Sequence, residues 1–458
     1  MPKYVTLQVM KVLICEELDK LALSGDHKAA DVSQLLEYLC LVDTDGGRKK
    51  GNNIVGKAQA VECGAKIRAV AERFAAEGLT VSSYVEAAIK QPSLFVQSST
   101  TIARNITGVV EKLAADGLTS KEYVRAALKN PSLFCLSPAR VAGNINELAK
   151  RFEQEGLTAR KYVRAALIQP ALFHQSPDTV AANITGVVER FAPAGLTVRT
   201  YLQAALKQPS LFQVSPGRIA GNITGVVDRF AADDLTVNEY VRAALRHAPL
   251  FYQSPATIAS NIGGVVKRFA PEGLTVGEYL GAVLTQPTLF GLSPDRVAAN
   301  INGVVARFSA EGLTVKDYLR AALRQPPLFY QSPVTISGHI DVMLALYDSG
   351  VLVLPRARGK GKAAQLHGHV HAPVLAYLVS NPGMLCRDES NLQLRRLFIE
   401  LTGTPPSPHV WRRSRYEIER ALMQHLGHDD PNLPVSETAS PVLRGLIRDG
   451  FIKSCKLE

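Results

Sequence analysis

Seven cations recur at one interval: Arg73, Lys112, Arg151, Arg190, Arg229, Arg268 and Arg307 stand 39 residues apart. A column of positive charge at fixed spacing is what a track of phosphates requires. A cation near a helix C-terminus also favours the helix dipole, and Glu77, Glu155 and Glu311 lie close by as pairing partners, so both readings stand at this point. A second column varies where its surroundings do not. Val96, Cys135, His174, Gln213, Tyr252, Gly291 and Tyr330 share one position of the same period, an assortment that no single packing site tolerates. Side chains of the His, Gln and Tyr kinds stack on bases or hydrogen-bond to them.

The next column, Gln97, Leu136, Gln175, Val214, Gln253, Leu292 and Gln331, changes in step with one four residues on: Thr101, Arg140, Thr179, Arg218, Thr257, Arg296 and Thr335. Gln always accompanies Thr, and an aliphatic residue accompanies Arg. Side chains four apart at a helix start touch. The covariation therefore fits a duplicated two-repeat block, each pair matched to its neighbour, or a role in reading a partner. Farther along, Asn105, Asn144, Asn183, Asn222, Asn261 and Asn300 form a column, followed by glycines at 108, 186, 225, 264 and 303. With the basic column these positions advance by four, three and four residues and keep one helix face, a polar stripe. Glycine inside a helix costs about 1 kcal/mol relative to alanine, so either an adjacent helix or a ligand approaches the backbone there.

These columns exist because the chain repeats. Counting the glycine of each Gly-Leu-Thr as position 1, repeats 1 to 7 begin at Gly78, Gly117, Gly156, Gly195, Asp234, Gly273 and Gly312, with no insertion or deletion between them. Each spells two helices. The first opens at the threonine as N-cap, and Thr119 with Glu122, Thr236 with Glu239 and Thr275 with Glu278 have capping-box spacing. It ends at a proline, in repeats such as Gln-Pro-Ala-Leu-Phe at 169–173, because the ring displaces the i−4 carbonyl and lacks a donor. The second starts at Ser-Pro, serine as cap and proline at the first helical position. The next glycine stands where a helix stop wants positive φ, and Asp234 takes that place once. The basic column is position 35, the variable columns are 19, 20 and 24, and the asparagines and glycines are 28 and 31.

One such repeat cannot close a core, so stability comes from stacking. The expected fold is all-α: a right-handed or curved α-solenoid of two-helix 39-residue repeats with helical N- and C-terminal flanks. Residues 1–60 form an N-terminal helical capping region, 61–350 the solenoid (a half-repeat cap plus seven repeats), 351–362 a basic linker and 363–458 a C-terminal helical region. In the flanks, Arg48, Lys49 and Lys50 and the linker sequence at 354–362 are basic enough to touch phosphate or merely to aid solubility. His367, His369, His371, His425, His428, Asp429 and Asp430 match no metal motif, so no metal is expected. Trp411, Arg412, Arg413, Arg415 and Tyr416 mix basic and aromatic character at a helix start.

An αα repeat whose first helix ends in Pro-x-Leu-Phe, followed by a Ser-led second helix and a glycine, resembles the mitochondrial transcription termination factor family. The stretches KNPSLFCLSPARVAGNI and IQPALFHQSPDTVAANI carry the likeness, which covers about residues 61–350. That family forms a superhelix whose basic concave side binds nucleic acid, which the resemblance implies here; it implies no catalytic residues. The repeats of this chain are longer and far more uniform than the family's, which leaves the groove geometry, and with it DNA or RNA, open.

Composition narrows the rest. A net charge of +11 and a pI near 9.3 lean toward an anionic partner. The six cysteines lie far apart with no CxxC, which suits a reducing compartment. The N-terminal stretch lacks a signal-peptide layout, and no apolar run reaches membrane-spanning length. A monomer without membrane attachment is expected, cytoplasmic or nucleoid-associated, with export to a host cell left open. No phosphate loop, nucleophile elbow or paired acidic motif occurs, so the expectation is binding without catalysis or cofactor. Helix axes stack roughly 8–10 Å apart while duplex phosphates repeat every 3.4 Å or so, which excludes one repeat per base pair on straight duplex. The leading expectation is a sequence-selective nucleic-acid binder with columns 19, 20 and 24 facing bases, column 35 facing phosphate, and all of them on one wall. The alternative is a protein-binding solenoid, a scaffold or secreted effector.

Overall fold

The structure is a computed structural model that describes residues 57–91, 93–350, 352, 354, 370–386, 389–404, 410, 413 and 415–425. All regular secondary structure among these residues is helical. The chain divides into two compact bodies, residues 1–222 and 223–458. Both are stacks of the two-helix repeat.

Capping chemistry sets the helix ends. Thr119, Thr236 and Thr275 close reciprocal capping boxes with Glu122, Glu239 and Glu278, and Thr80 and Thr197 do so with the hydroxyls of Ser83 and Thr200. Each box satisfies two backbone donors that the first turn leaves without partners. The first helix then runs ten residues, as in Ser120–Lys129 and Val237–Arg246. The proline that stops it opens a 3₁₀ turn, Pro131–Cys135 in repeat 2 and Pro170–Phe173 in repeat 3. Ser137 and Ser176 cap the second helices, Pro138–Arg151 and Pro177–Phe191, with proline at the first position. The six glycines that open repeats lie in the left-handed region, with φ between 81° and 96°, and stop the preceding helices. Asp234 adopts φ 62° where repeat 5 lacks the glycine, a conformation that a short polar side chain tolerates.

The turn supplies the core. In repeats 2 to 7 its Leu and Phe are buried, as is the tyrosine of each first helix. The Tyr123 hydroxyl donates to the Leu133 carbonyl at 3.0 Å, while its ring meets Phe173 of the next repeat edge-on at 5.5 Å between centroids. Tyr162 and Phe212 repeat the contact at 5.4 Å, and Tyr240 and Phe290 do so in the C-terminal body at 5.6 Å. Such pairs contribute about 0.5–1.5 kcal/mol beyond their area. Burial raises these tyrosine pKa values. Within each body first helices pack on first helices and second on second, so the stack has two layers whose outward faces point in opposite directions.

Helix Lys57–Arg73 packs on Ser99–Leu113 in the place of a preceding second helix, the only helix of that half-repeat cap among the described residues. Past residue 350 the array continues, which moves the expected boundary. Helix Ala372–Ser380 packs on the first helix of repeat 7, Val315–Arg324, and helix Glu389–Thr402 on its second, Pro333–Asp348. Residues Pro382–Met384 form the 3₁₀ turn, with Met384 and Leu385 buried where other repeats bury Leu and Phe. A degenerate eighth repeat thus reaches Thr402. Extra sequence between Leu352, buried like the leucine of Gly-Leu-Thr, and Ala372 breaks the 39-residue period and hid this repeat. Helix Arg415–His425 packs on Glu389–Thr402. No helix among the described residues is long and apolar enough to cross a membrane.

Candidate functional site

Most of the polar stripe on the second helices faces the next repeat. Asn105 donates to the Phe134 carbonyl at 3.1 Å, Asn183 to Phe212 at 3.1 Å, Asn261 to Phe290 at 3.0 Å and Asn300 to Phe329 at 3.1 Å. Asn144 donates to the Gln175 carbonyl at 3.0 Å. Asn222 also has an interaction and is not free. Asn105, Asn144, Asn183, Asn261 and Asn300 each tie a helix to the turn region of the next repeat. In repeat 7 His339 stands at this position and its Nδ1 lies 2.7 Å from the Leu385 carbonyl, which marks the eighth repeat again. Arg324 reinforces it by donating to the Val379 and Ser380 carbonyls, as Arg246 does to Leu284 and Thr285.

The glycines at position 31 have the same explanation. A Cβ at Gly108, Gly186, Gly225, Gly264 or Gly303 would stand 2.4 to 2.8 Å from the Cγ of the Ser-Pro proline of the next repeat. The close approach is therefore that of an adjacent helix.

Column 35 is exposed in every repeat, and an acid downstream decides what each member does. Arg151 pairs with Asp178 and Glu147, Arg268 with Asp295, and Arg307 with Asp341. These acids, and not Glu77, Glu155 or Glu311, are the partners; Glu77, Glu155 and Glu311 each keep one buried carboxylate oxygen without a hydrogen bond. Asp178 and Asp295 occupy position 23 of the following repeat. Where that position is Thr100, Ala139, Gly217 or Ala256, the residues Arg73, Lys112, Arg190 and Arg229 have no acid partner among the described residues.

The variable columns lie at the joints between repeats. In column 19, Cys135, His174, Gln213, Tyr252 and Tyr330 are half-buried, Gly291 is exposed, and the Val96 side chain lies outside the described residues. Cys135 Sγ is 3.5 Å from Ser93 Oγ, and the Gln213 side chain accepts from Gln169 at 2.8 Å, both contacts being with the preceding repeat. A Cβ at Gly291 would stand 3.4 Å from Gln253 of column 20. Column 20 is half-buried throughout: Gln97, Leu136, Gln175, Val214, Gln253, Leu292 and Gln331. All four glutamines keep a buried Oε1 without a hydrogen bond, as does His174 at Nδ1. Burial, aided by the nearby Arg140 charge, lowers the His174 pKa, and burial alone lowers that of His247.

Column 24 is exposed apart from the half-buried Thr101. Thr101, Thr179, Thr257 and Thr335 share hydrogen bonds with the N-cap serines at 2.8 Å, while Arg140, Arg218 and Arg296 extend outward from the same place. The alternation has a backbone correlate. Repeats with Leu or Val at position 20 have five-residue 3₁₀ turns, Pro131–Cys135, Pro209–Gln213 and Pro287–Gly291. Repeats 3, 5 and 7, with Gln, have four-residue ones, Pro170–Phe173, Ala248–Phe251 and Pro326–Phe329. Position 24 lies eleven residues from position 35, about 16 Å along the helix. Columns 24 and 35 thus sit at opposite ends of one exposed face of the second helix, while columns 19 and 20 lie largely in the joints.

A stronger basic feature lies on the other layer. Positions 5, 9 and 13 of the first helix share one face. In repeat 2 they are Lys121, Arg125 and Lys129; Arg160 and Arg164, beside Lys161, follow in repeat 3, and Arg199 and Lys207 in repeat 4, all exposed. The one acid on these three helices is Glu122, held in its capping box. Arg199 donates to the Gln154 carbonyl and Lys161 to Gly156, but Lys121, Arg125, Lys129, Arg164 and Lys207 have no ion pair or hydrogen bond among the described residues. The four-residue spacing was present in the sequence and would have shown this face. In the C-terminal body the same helices hold Arg242, Arg246, Lys316, Arg320 and Arg324, but also Glu239, Glu278 and Asp317, and Val276–Thr285 has no cation.

The flanking candidates add little to either surface. His371 Nε2 lies 3.0 Å from Asp348, and no group of three His, Cys, Asp or Glu residues among those described is placed to hold a metal ion. Arg413 lies over the Phe398 ring, and Tyr416 is exposed. Cys386, at column 19 of the eighth repeat, has its thiol pushed up to about 11 by burial. Arg48, Lys49, Lys50, residues 355–362, His367, His369, Trp411, Arg412, His428, Asp429 and Asp430 lie outside the described residues. Comparison with protein-family models and with curated proteins gives no match.

Proposed function

We propose that this chain is a nucleic-acid-binding helical-repeat protein acting as a monomer on DNA or RNA, in the mode that its resemblance to the mitochondrial transcription termination factor family implies. The observation that carries this reading is the recurrence, at fixed positions of successive repeats, of exposed cations without an ion pair or hydrogen bond among the described residues, Arg125 with Arg164 and Lys129 with Lys207 among them. Repetition of an unneutralised charge at unit spacing suits a polymer that repeats its own charge. The proposal includes sequence selectivity, through side chains that differ from repeat to repeat at fixed positions. No catalytic step is part of the proposal.

Selection from random pools of duplex DNA, single-stranded DNA and RNA at two salt concentrations tests it. An enriched motif that shortens when repeats are deleted, with affinity falling steeply as salt rises, is the expected result. Association with none of the three pools, or association that does not change with salt, refutes it. Protein binding is the second reading, favoured by the pairing of Arg151, Arg268 and Arg307 with acids of the array itself, which removes three cations from any phosphate track.

A further inference from the structure

We infer that the nucleic-acid phosphate backbone docks on the first-helix face of the N-terminal body, around helices Ser120–Lys129, Ala159–Ile168 and Val198–Lys207, and not on the second-helix face. The inference rests on the nucleic-acid reading above and assigns it a surface. Successive positions 5, 9 and 13 are each about 6 Å apart along a helix, and neighbouring helices stand about 8–10 Å apart. Together they form a two-dimensional grid of charge. Lys121, Arg125, Lys129, Arg164 and Lys207 are exposed there without partners among the described residues, so no internal contact has to break before a phosphate is met. The opposite face interleaves its charges: Lys112 adjoins Glu111, Arg190 adjoins Glu189, and Arg151 is held by Glu147 and Asp178. A polyanion approaching that side meets carboxylates and must displace ion pairs. The partner is identified as nucleic acid rather than an acidic protein because the charge recurs at repeat spacing, the property of a regular polyanion.

Two full-length variants with equal charge change test the inference. The first carries K121Q, R125Q, K129Q, R164Q and K207Q; the second carries R104Q, K112Q, R140Q, R190Q and R218Q on the opposite face. All ten positions are exposed, and thermal unfolding first establishes that both variants fold. Affinity is then measured over a range of salt for a mixed-sequence duplex DNA and a single-stranded oligonucleotide, each long enough to cross three repeats. The first variant is expected to lose about hundredfold in duplex affinity at physiological salt, with its log–log salt slope flattened by about 4, while the second loses less than about tenfold. Equal losses, or a larger loss in the second variant, overturn the surface assignment while leaving nucleic-acid binding intact. Failure of the unmodified protein to bind either probe removes the functional reading itself. Vesicles with anionic phospholipid serve as the remaining probe: a loss confined to them in the first variant assigns the face to a membrane and also overturns the inference.

Discussion

The two layers of the N-terminal body are made of equally regular columns, yet they use their polar residues differently. On the second helices, Asn183 is bonded to the turn of the next repeat, Gly186 makes room for its proline, and Arg151 is held by its acids. On the first helices, Lys121, Arg125 and Lys129 stand clear of any partner among the described residues. Regularity by itself therefore does not separate function from assembly. A column that reaches across the joint belongs to the stack; a charged column that reaches nothing is available to a ligand.

That difference is sharpened first at the joint, where effects are largest. Phe173→Ala empties a fully buried site that the Tyr123 ring faces edge-on, and a loss of about 3–5 kcal/mol in chemical unfolding is expected. A cost below 1 kcal/mol would mean that the joint is loosely packed. Two glycines of the second helices then give opposite signs. At Gly186 a new Cβ lies 2.8 Å from Pro216 Cγ, so alanine loses about 1–3 kcal/mol to overpacking against a helix gain of about 1, and net destabilisation follows. At Gly143 nothing lies within 4 Å, so alanine stabilises by up to about 1 kcal/mol. Equal shifts in melting temperature for the two substitutions would contradict the role given to the proline contact. Asn183→Ala strands the Phe212 carbonyl, and a loss of about 1 kcal/mol is expected from urea unfolding.

The smallest effect is one of pH. Burial lowers the folded-state pKa of His174 and His247 below the unfolded value, so the unfolded chain binds protons more readily than the folded one. Stability is full above about pH 6.5, the ordinary histidine value, and falls as pH drops below it toward the depressed folded values. A double His174→Gln and His247→Gln protein should show a flatter fall in melting temperature below neutrality. An unchanged slope would place the acid sensitivity elsewhere.

The fold was legible wherever the signal is local. Threonine caps, the proline stop, the Ser-Pro start and even the left-handed Asp234 are dictated by neighbours within a few residues, and the structure has each of them. The purpose of the polar stripe was not legible, because its partners lie in the next repeat: Asn183 meets a carbonyl 29 residues on, and Arg151 an acid 27 residues on. Periodicity shows that a residue recurs, not which layer it faces. The eighth repeat escaped because Met384 and Leu385 replace Leu and Phe and extra sequence breaks the register. The first-helix cations were visible at four-residue spacing in KEYVRAALK, but only burial and pairing show that they remain free.

Lysine acylation followed by mass spectrometry, with and without duplex DNA, tests the central assignment most directly. Lys121, Lys129 and Lys207 should be protected when DNA is present, with Lys112 and Lys150 on the second helices staying reactive. Protection of Lys112 and Lys150 while the first-helix lysines remain open would contradict it.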